Sequence, residues 1–129
     1  MFVAGAAFWV IAHNHLYFII SDPLQNSREV VHVNITTLAE DAGAHDPYND
    51  RSCLLYPGEH PRIDRVSCVY YQGAQIASVS HLTHKLSNRE IRLDDEASPQ
   101  MLAKLRKGAL LSEHIIPIAA DLLIEQNLV

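Results

Sequence analysis

Residues 29–37 read Glu29-Val30-Val31-His32-Val33-Asn34-Ile35-Thr36-Thr37, with Val31, Val33 and Ile35 alternating with His32, Asn34 and Thr36. Successive side chains of a strand point to opposite faces, so this period of two predicts a β-strand with one apolar and one half-exposed polar face. Upstream, Ala6 to Ile11 and Leu16 to Ile20 are aromatic and β-branched runs separated by His13-Asn14. They predict a hairpin, because Asn tolerates the left-handed conformation a short turn demands. Ser21-Asp22-Pro23 closes the second strand, since Pro has no N–H to donate to a ladder, and the polar stretch from Gln25 to Arg28 follows as a connection. Downstream, Leu38 to Ser52 is polar and carries Gly43 and Pro47, which predicts a long loop of the kind that often serves function. Cys53-Leu54-Leu55 reads as a short strand and Tyr56-Pro57-Gly58 as a turn. Val66 to Tyr71 reads as another strand, and Gln75 to Ser78 as a last short one.

Beyond Ser80 the pattern turns helical. Ser80 is placed to cap a turn running through His81, Leu82, His84, Lys85 and Leu86, and Ser98-Pro99 is the cap and first-turn pair of a second helix. That helix carries Leu102, Leu105 and Ala109 on one face, and Pro117 opens a third with Ile118, Leu122 and Glu125 on successive turns. Strands up to residue 80 and helices over 81–129 predict an α+β fold in a single domain over 1–129. At 129 residues and 48% hydrophobic, the chain has room for one core and buries roughly two-thirds of its unfolded surface without staples.

A net charge of −5 argues against gripping duplex DNA through bulk positive charge, though it leaves room for a small basic cleft. Cys53 and Cys68 have no second pair to complete a zinc site and read as buried thiols. Eight histidines include His13-x-His15 and His81-x-x-His84, but spacing fixes no third ligand beside either pair, so no metal is expected. P-loop, GxGxxG, HExxH and GxSxG motifs are absent, and no cofactor is expected. The opening run from Phe2 to Ala12 lacks a preceding basic segment and falls short of the ~20 residues a bilayer span needs; it reads as a buried strand of a cytoplasmic protein that does not enter a membrane.

The order of features resembles a known family. Phe18-Ile19-Ile20-Ser21-Asp22-Pro23 is similar to the strand ending near Ser-Pro in MazF/PemK-like toxins of type II toxin–antitoxin systems. Val33-Asn34-Ile35-Thr36-Thr37 resembles the apolar strand that ends there in Pro-Ile-Thr. The segment from Cys53 to Glu59, followed by Ser67-Cys68-Val69, resembles the family's Pro-Gly turn and next core strand. The likeness covers about residues 5–85. It implies an SH3-like small antiparallel β-barrel (MazF/CcdB-like) with C-terminal helices packed against it, usually a homodimer. It also implies a cognate antitoxin as partner and single-stranded RNA as substrate of a metal-independent endoribonuclease. An exposed first hairpin bearing Phe8 and Trp9 would be an edge that a second copy could cover.

The family's ribonucleases carry Gln-x-Gly-x-Arg-Pro between the first two strands, where this chain has only His13-Asn14. Of the matching catalytic positions Thr36 carries over. Cleavage by a ribose 2′-hydroxyl needs a base, an acid and a donor to phosphate, which makes His15 and His60 candidates for proton transfer and Arg62 for the phosphate. Arg28 is a second candidate to face phosphate, and Tyr56 and Tyr70 are candidate substrate contacts, with Tyr70 and Tyr71 expected on opposite faces of one strand. The segment Gly58-Glu59-His60-Pro61-Arg62 is expected to be a rigid exposed loop. A second reading stays open, a non-catalytic binding module on the same barrel or a CcdB-like toxin that binds a protein target.

Overall fold

The computed structural model describes residues 2–25, 28–43 and 45–128, so part of the connection at 25–28 and one residue of the loop at 38–52 lie outside the described residues. The two apolar runs form the expected hairpin, β1 (Ala7–Val10) and β2 (His15–Ile19), and Asn14 takes a positive φ of 53° at its turn. The alternating run is β3 (Glu29–Thr37). After a 3-10 turn at Pro47–Asn49 come β4 (Leu54–Leu55), β5 (Ser67–Val69) and β6 (Gln75–Ser78), then α1 (Val79–Ser87), β7 (Ile91–Asp94), α2 (Pro99–Leu111) and α3 (Pro117–Glu125).

The seven strands form one antiparallel sheet in the order β4-β5-β3-β2-β1-β7, with β6 also paired to β3. One edge of β3 pairs with β2, where Phe18 faces Val33. Its other edge changes partner along its length: Glu29 to His32 pair with β6, and Ile35 to Thr37 pair with β5. The path does not close, and β4 and β7 are its end strands.

Both faces of the central strands are buried, which is why β1 and β2 read as nearly continuous apolar runs. On one face Ala7, Leu16, Phe18, Val31 and Val33 meet Met101, Leu105 and Ala109 of α2 and Ala119 and Leu123 of α3. On the other, Phe8, Tyr17, Ile19 and Val30 meet Phe2, Leu82 of α1 and Ile91 of β7. Gly108 lets α2 approach closely: a Cβ there would collide with the Tyr71 hydroxyl and the Cys53 side chain. Tyr71 donates its hydroxyl to the Leu105 carbonyl at 2.7 Å.

Five expectations are corrected. A strand, β7, lies in the half read as helical, and it pairs with β1 along its whole length, so the first hairpin is not an edge. Phe8 is buried and Trp9 half-buried within this chain. The polar face of β3 is not half-exposed throughout: α1 and the aromatic rings cover His32, and Asn34 is buried as well. Ser78, not Ser80, caps α1 by accepting from the His81 N–H. Finally, the strand expected at 66–71 stops at Val69, after which Tyr71–Gly73 form a 3-10 turn.

Candidate functional site

Thr36 and Arg62 line one shallow groove, together with Trp9, Asn14, Leu16 and Asp64. Its volume is about 150 Å³. Thr36 arrives there at the end of β3, opposite Cys68 of β5. Trp9 is brought by β1, whose pairing with β7 sets it directly opposite Arg92 and diagonal to Asp94. Both are within reach of a long side chain across a sheet. The Arg92 guanidinium accordingly sits 5.8 Å from the centre of the Trp9 ring, and the Trp9 indole N–H donates to Asp94 Oδ2 at 2.5 Å.

Arg62 comes from the loop before β5. Gly58 takes a positive φ of 97° at its turn, and the Glu59 carboxylate accepts from the Tyr56 N–H at 2.7 Å. His60 and Ile63 are buried anchors on either side of Arg62. The guanidinium donates Nε to Asp94 Oδ2 at 2.8 Å while its side chain stays 54% exposed. Burial pushes the Asp94 carboxyl up, but the Asp95 N–H, the Trp9 indole and Arg62 outweigh it and hold it below the usual carboxylate range.

His60 does not stand exposed in that loop, as the prolines around it had suggested. It is 4% exposed and lies edge-on to Phe18 at 5.1 Å. Its Nε2 donates to the Asp95 carbonyl at 2.7 Å and its Nδ1 accepts from the Arg62 N–H at 3.1 Å, so both ring nitrogens are held by backbone. The carbonyl partner calls for a proton on Nε2, and the Arg62 N–H calls for a lone pair on Nδ1. His60 thus positions Arg62 and offers no free nitrogen to a substrate.

The remaining candidates lie elsewhere. His15 is exposed, next to Leu16 on β2, and therefore points away from the groove that Leu16 lines. Its ring neighbours Tyr17 at 6.4 Å and His13 at 6.2 Å. Arg28 sits before the start of β3, beside Ser80 and Thr83, roughly 25 Å from Thr36 at ~3.3 Å per residue. Exposed Tyr56 lies under Lys104, whose Nζ is 5.3 Å from the ring centre. Tyr70 stacks on Tyr48 at 4.5 Å, while Tyr71 is core, so the two neighbouring tyrosines do part company. Sequence reading missed Trp9, Asp64, Arg92 and Asp94; the one available signal was the single tryptophan, set on the opposite face of β1 from Phe8.

Among the described residues no three His, Cys, Asp or Glu side chains gather as metal ligands, and no helix is long and apolar enough to cross a membrane. Comparison of the chain with family models, with curated proteins and with solved structures gives no match.

Proposed function

We propose that this chain is a cytoplasmic MazF/PemK-like toxin that takes single-stranded RNA across the Thr36–Arg62 groove. The supporting observation is that Thr36, the one catalytic position carried over from the family pattern, shares a groove with an exposed arginine supplied by another loop. In this reading Arg62, held by Asp94, replaces the arginine missing from the β1–β2 turn, and Arg92 adds a second cation beside it. The change of partner along β3 is how a small sheet curls, in keeping with an SH3-like barrel. A homodimer and an acidic antitoxin segment across the groove belong to the same proposal.

Cleavage at this groove would use the Thr36 hydroxyl, the Arg62 guanidinium and the Asp64 carboxylate, the acid–base group that remains once His15 and His60 are set aside. That thin inventory favours a second reading, a non-catalytic module that binds RNA or a protein through the same groove. Incubation with mixed-sequence single-stranded RNA in EDTA separates the two. Cleavage lost in Arg62→Ala and Thr36→Ala supports the ribonuclease. Saturable binding without cleavage supports the module, and the absence of both binding and cleavage with folded protein refutes an RNA role.

A further inference from the structure

Phe8 and Val10 stand on the opposite face of β1 from Trp9, and they line a second, larger cleft of about 360 Å³. Its wall is α1. His81 and Leu82 lie four and three residues before Lys85 on that helix, its cap residue Ser78 lies three before His81, and all four line the cleft. Its titratable lining groups are His32, His81 and Lys85, with no carboxylate among them. Neither Lys85 nor His81 has a side-chain ion-pair partner among the described residues.

His32 is the unusual member. It is 4% exposed, and its ring stands edge-on to both Phe8 at 5.2 Å and Tyr17 at 5.1 Å. Its Nδ1 is buried without a hydrogen-bond partner among the described residues. Buried polar atoms are rarely left unsatisfied, so a nearly buried ring that carries an orphaned nitrogen and lines a cleft marks a place where a bound group can complete the bonding. Lys85 sets the sign of that group, His81 adds a ring nitrogen beside it, and Phe8, Val10, Leu82 and Ile91 set the character of whatever carries it.

We propose that the cleft between α1 and the sheet binds a small organic anion, a single carboxylate or phosphate on an apolar body of a few carbons, with Lys85 and His81 meeting the oxyanion and His32 completing its hydrogen bonds inside. His32 suits this role as a neutral ring, because burial and the charges of Lys85 and His81 hold its pKa down at about 4. The cleft and the Thr36 groove lie on opposite faces of β1, so the proposal stands independently of any RNA activity.

The test is a titration of ¹⁵N-labelled full chain, followed at the His32 ring nitrogens, with benzoate, phenyl phosphate, acetyl-Gly-Phe bearing a free carboxylate, and benzyl alcohol as uncharged control. Both small anions are expected to shift His32 saturably and to bind at least tenfold more tightly than benzyl alcohol. Lys85→Gln, whose folding is checked by circular dichroism, should remove that advantage and leave benzyl alcohol unaffected. A peptide tighter than benzoate assigns the site to a chain-end carboxylate, and a weaker one to a free small acid. No saturable shift at His32, equal affinity for the alcohol, or unchanged anion affinity in folded Lys85→Gln overturns the proposal.

Discussion

Arg62 donates its Nε to Asp94 at 2.8 Å, joining the loop before β5 to the end strand of the sheet. The same carboxylate oxygen accepts from Trp9, so one buried acid sets the position of an aromatic ring and of an exposed cation. If the groove binds RNA, Arg62→Ala removes a phosphate contact without removing a core side chain. We expect roughly tenfold weaker binding to a single-stranded oligonucleotide. The salt dependence should become shallower by about 0.7 in log–log slope. Fluorescence anisotropy over a salt series checks both, and an unchanged slope would take Arg62 out of the interface.

His32 makes stability depend on pH. Its folded pKa, about 4, lies below the ordinary 6.5, because burial, Lys85 and His81 all disfavour the imidazolium; Tyr17, packed against it from β2, is neutral in this range. The unfolded chain therefore takes up the proton first as pH falls. Stability from the buried neutral ring is complete above about pH 6.5 and is lost progressively down to about pH 4, by about 3 kcal/mol. Urea unfolding of wild type beside His32→Asn at pH 7 and pH 4.5 should show the larger loss in wild type.

Gly108→Ala is expected to destabilise by about 1–3 kcal/mol, the usual cost of overpacking, although alanine is the better helix former. The added methyl would meet the Tyr71 hydroxyl and Cys53. A thermal melt at or above wild type would mean that α2 can move away from Tyr71 and Cys53 freely.

Gln126, just past α3, brackets the backbone of Asp22: its Oε1 accepts from the Asp22 N–H at 2.8 Å and its Nε2 donates to the Asp22 carbonyl at 3.0 Å. Gln126→Ala leaves both groups unpaired at a nearly buried position, and we expect a loss of about 1–3 kcal/mol together with faster amide exchange at Asp22. Unchanged exchange there would mean that the turn holds itself.

Burial pushes the Cys53 and Cys68 thiols up to about 11. Roughly one thiol in ten thousand is then ionised at pH 7, so the native protein should resist iodoacetamide and react on unfolding. Fast native alkylation, followed by mass spectrometry, would contradict the packing around either residue.

The first three strands were legible because β-branched and aromatic residues fill them and Pro23 and Asn14 punctuate them. β7 was not. Ile91-Arg92-Leu93-Asp94 is four residues long between two helices, and its alternation is too brief to outweigh helical surroundings. His60 looked exposed because proline and glycine mark a loop, yet its burial depends on a carbonyl at Asp95, which local pattern does not encode. The meeting of Thr36 and Arg62 in one groove was invisible for the same reason: it arises from how a loop folds back over the end of β3, whereas Thr36 alone was marked, through the resemblance of its strand to the family pattern. Alternation put His32 and Thr36 on one side of β3 and could not say that α1 would cover the first.

Because β1 separates the groove from the cleft, neighbours along it belong to different compartments. Saturation substitution of this strand should give an odd–even record: changes at Trp9 would register in assays of the groove, and changes at Phe8 and Val10 in assays of the cleft. The strand is thus a partition whose two sides can diverge under separate selection while its backbone ladder stays the same.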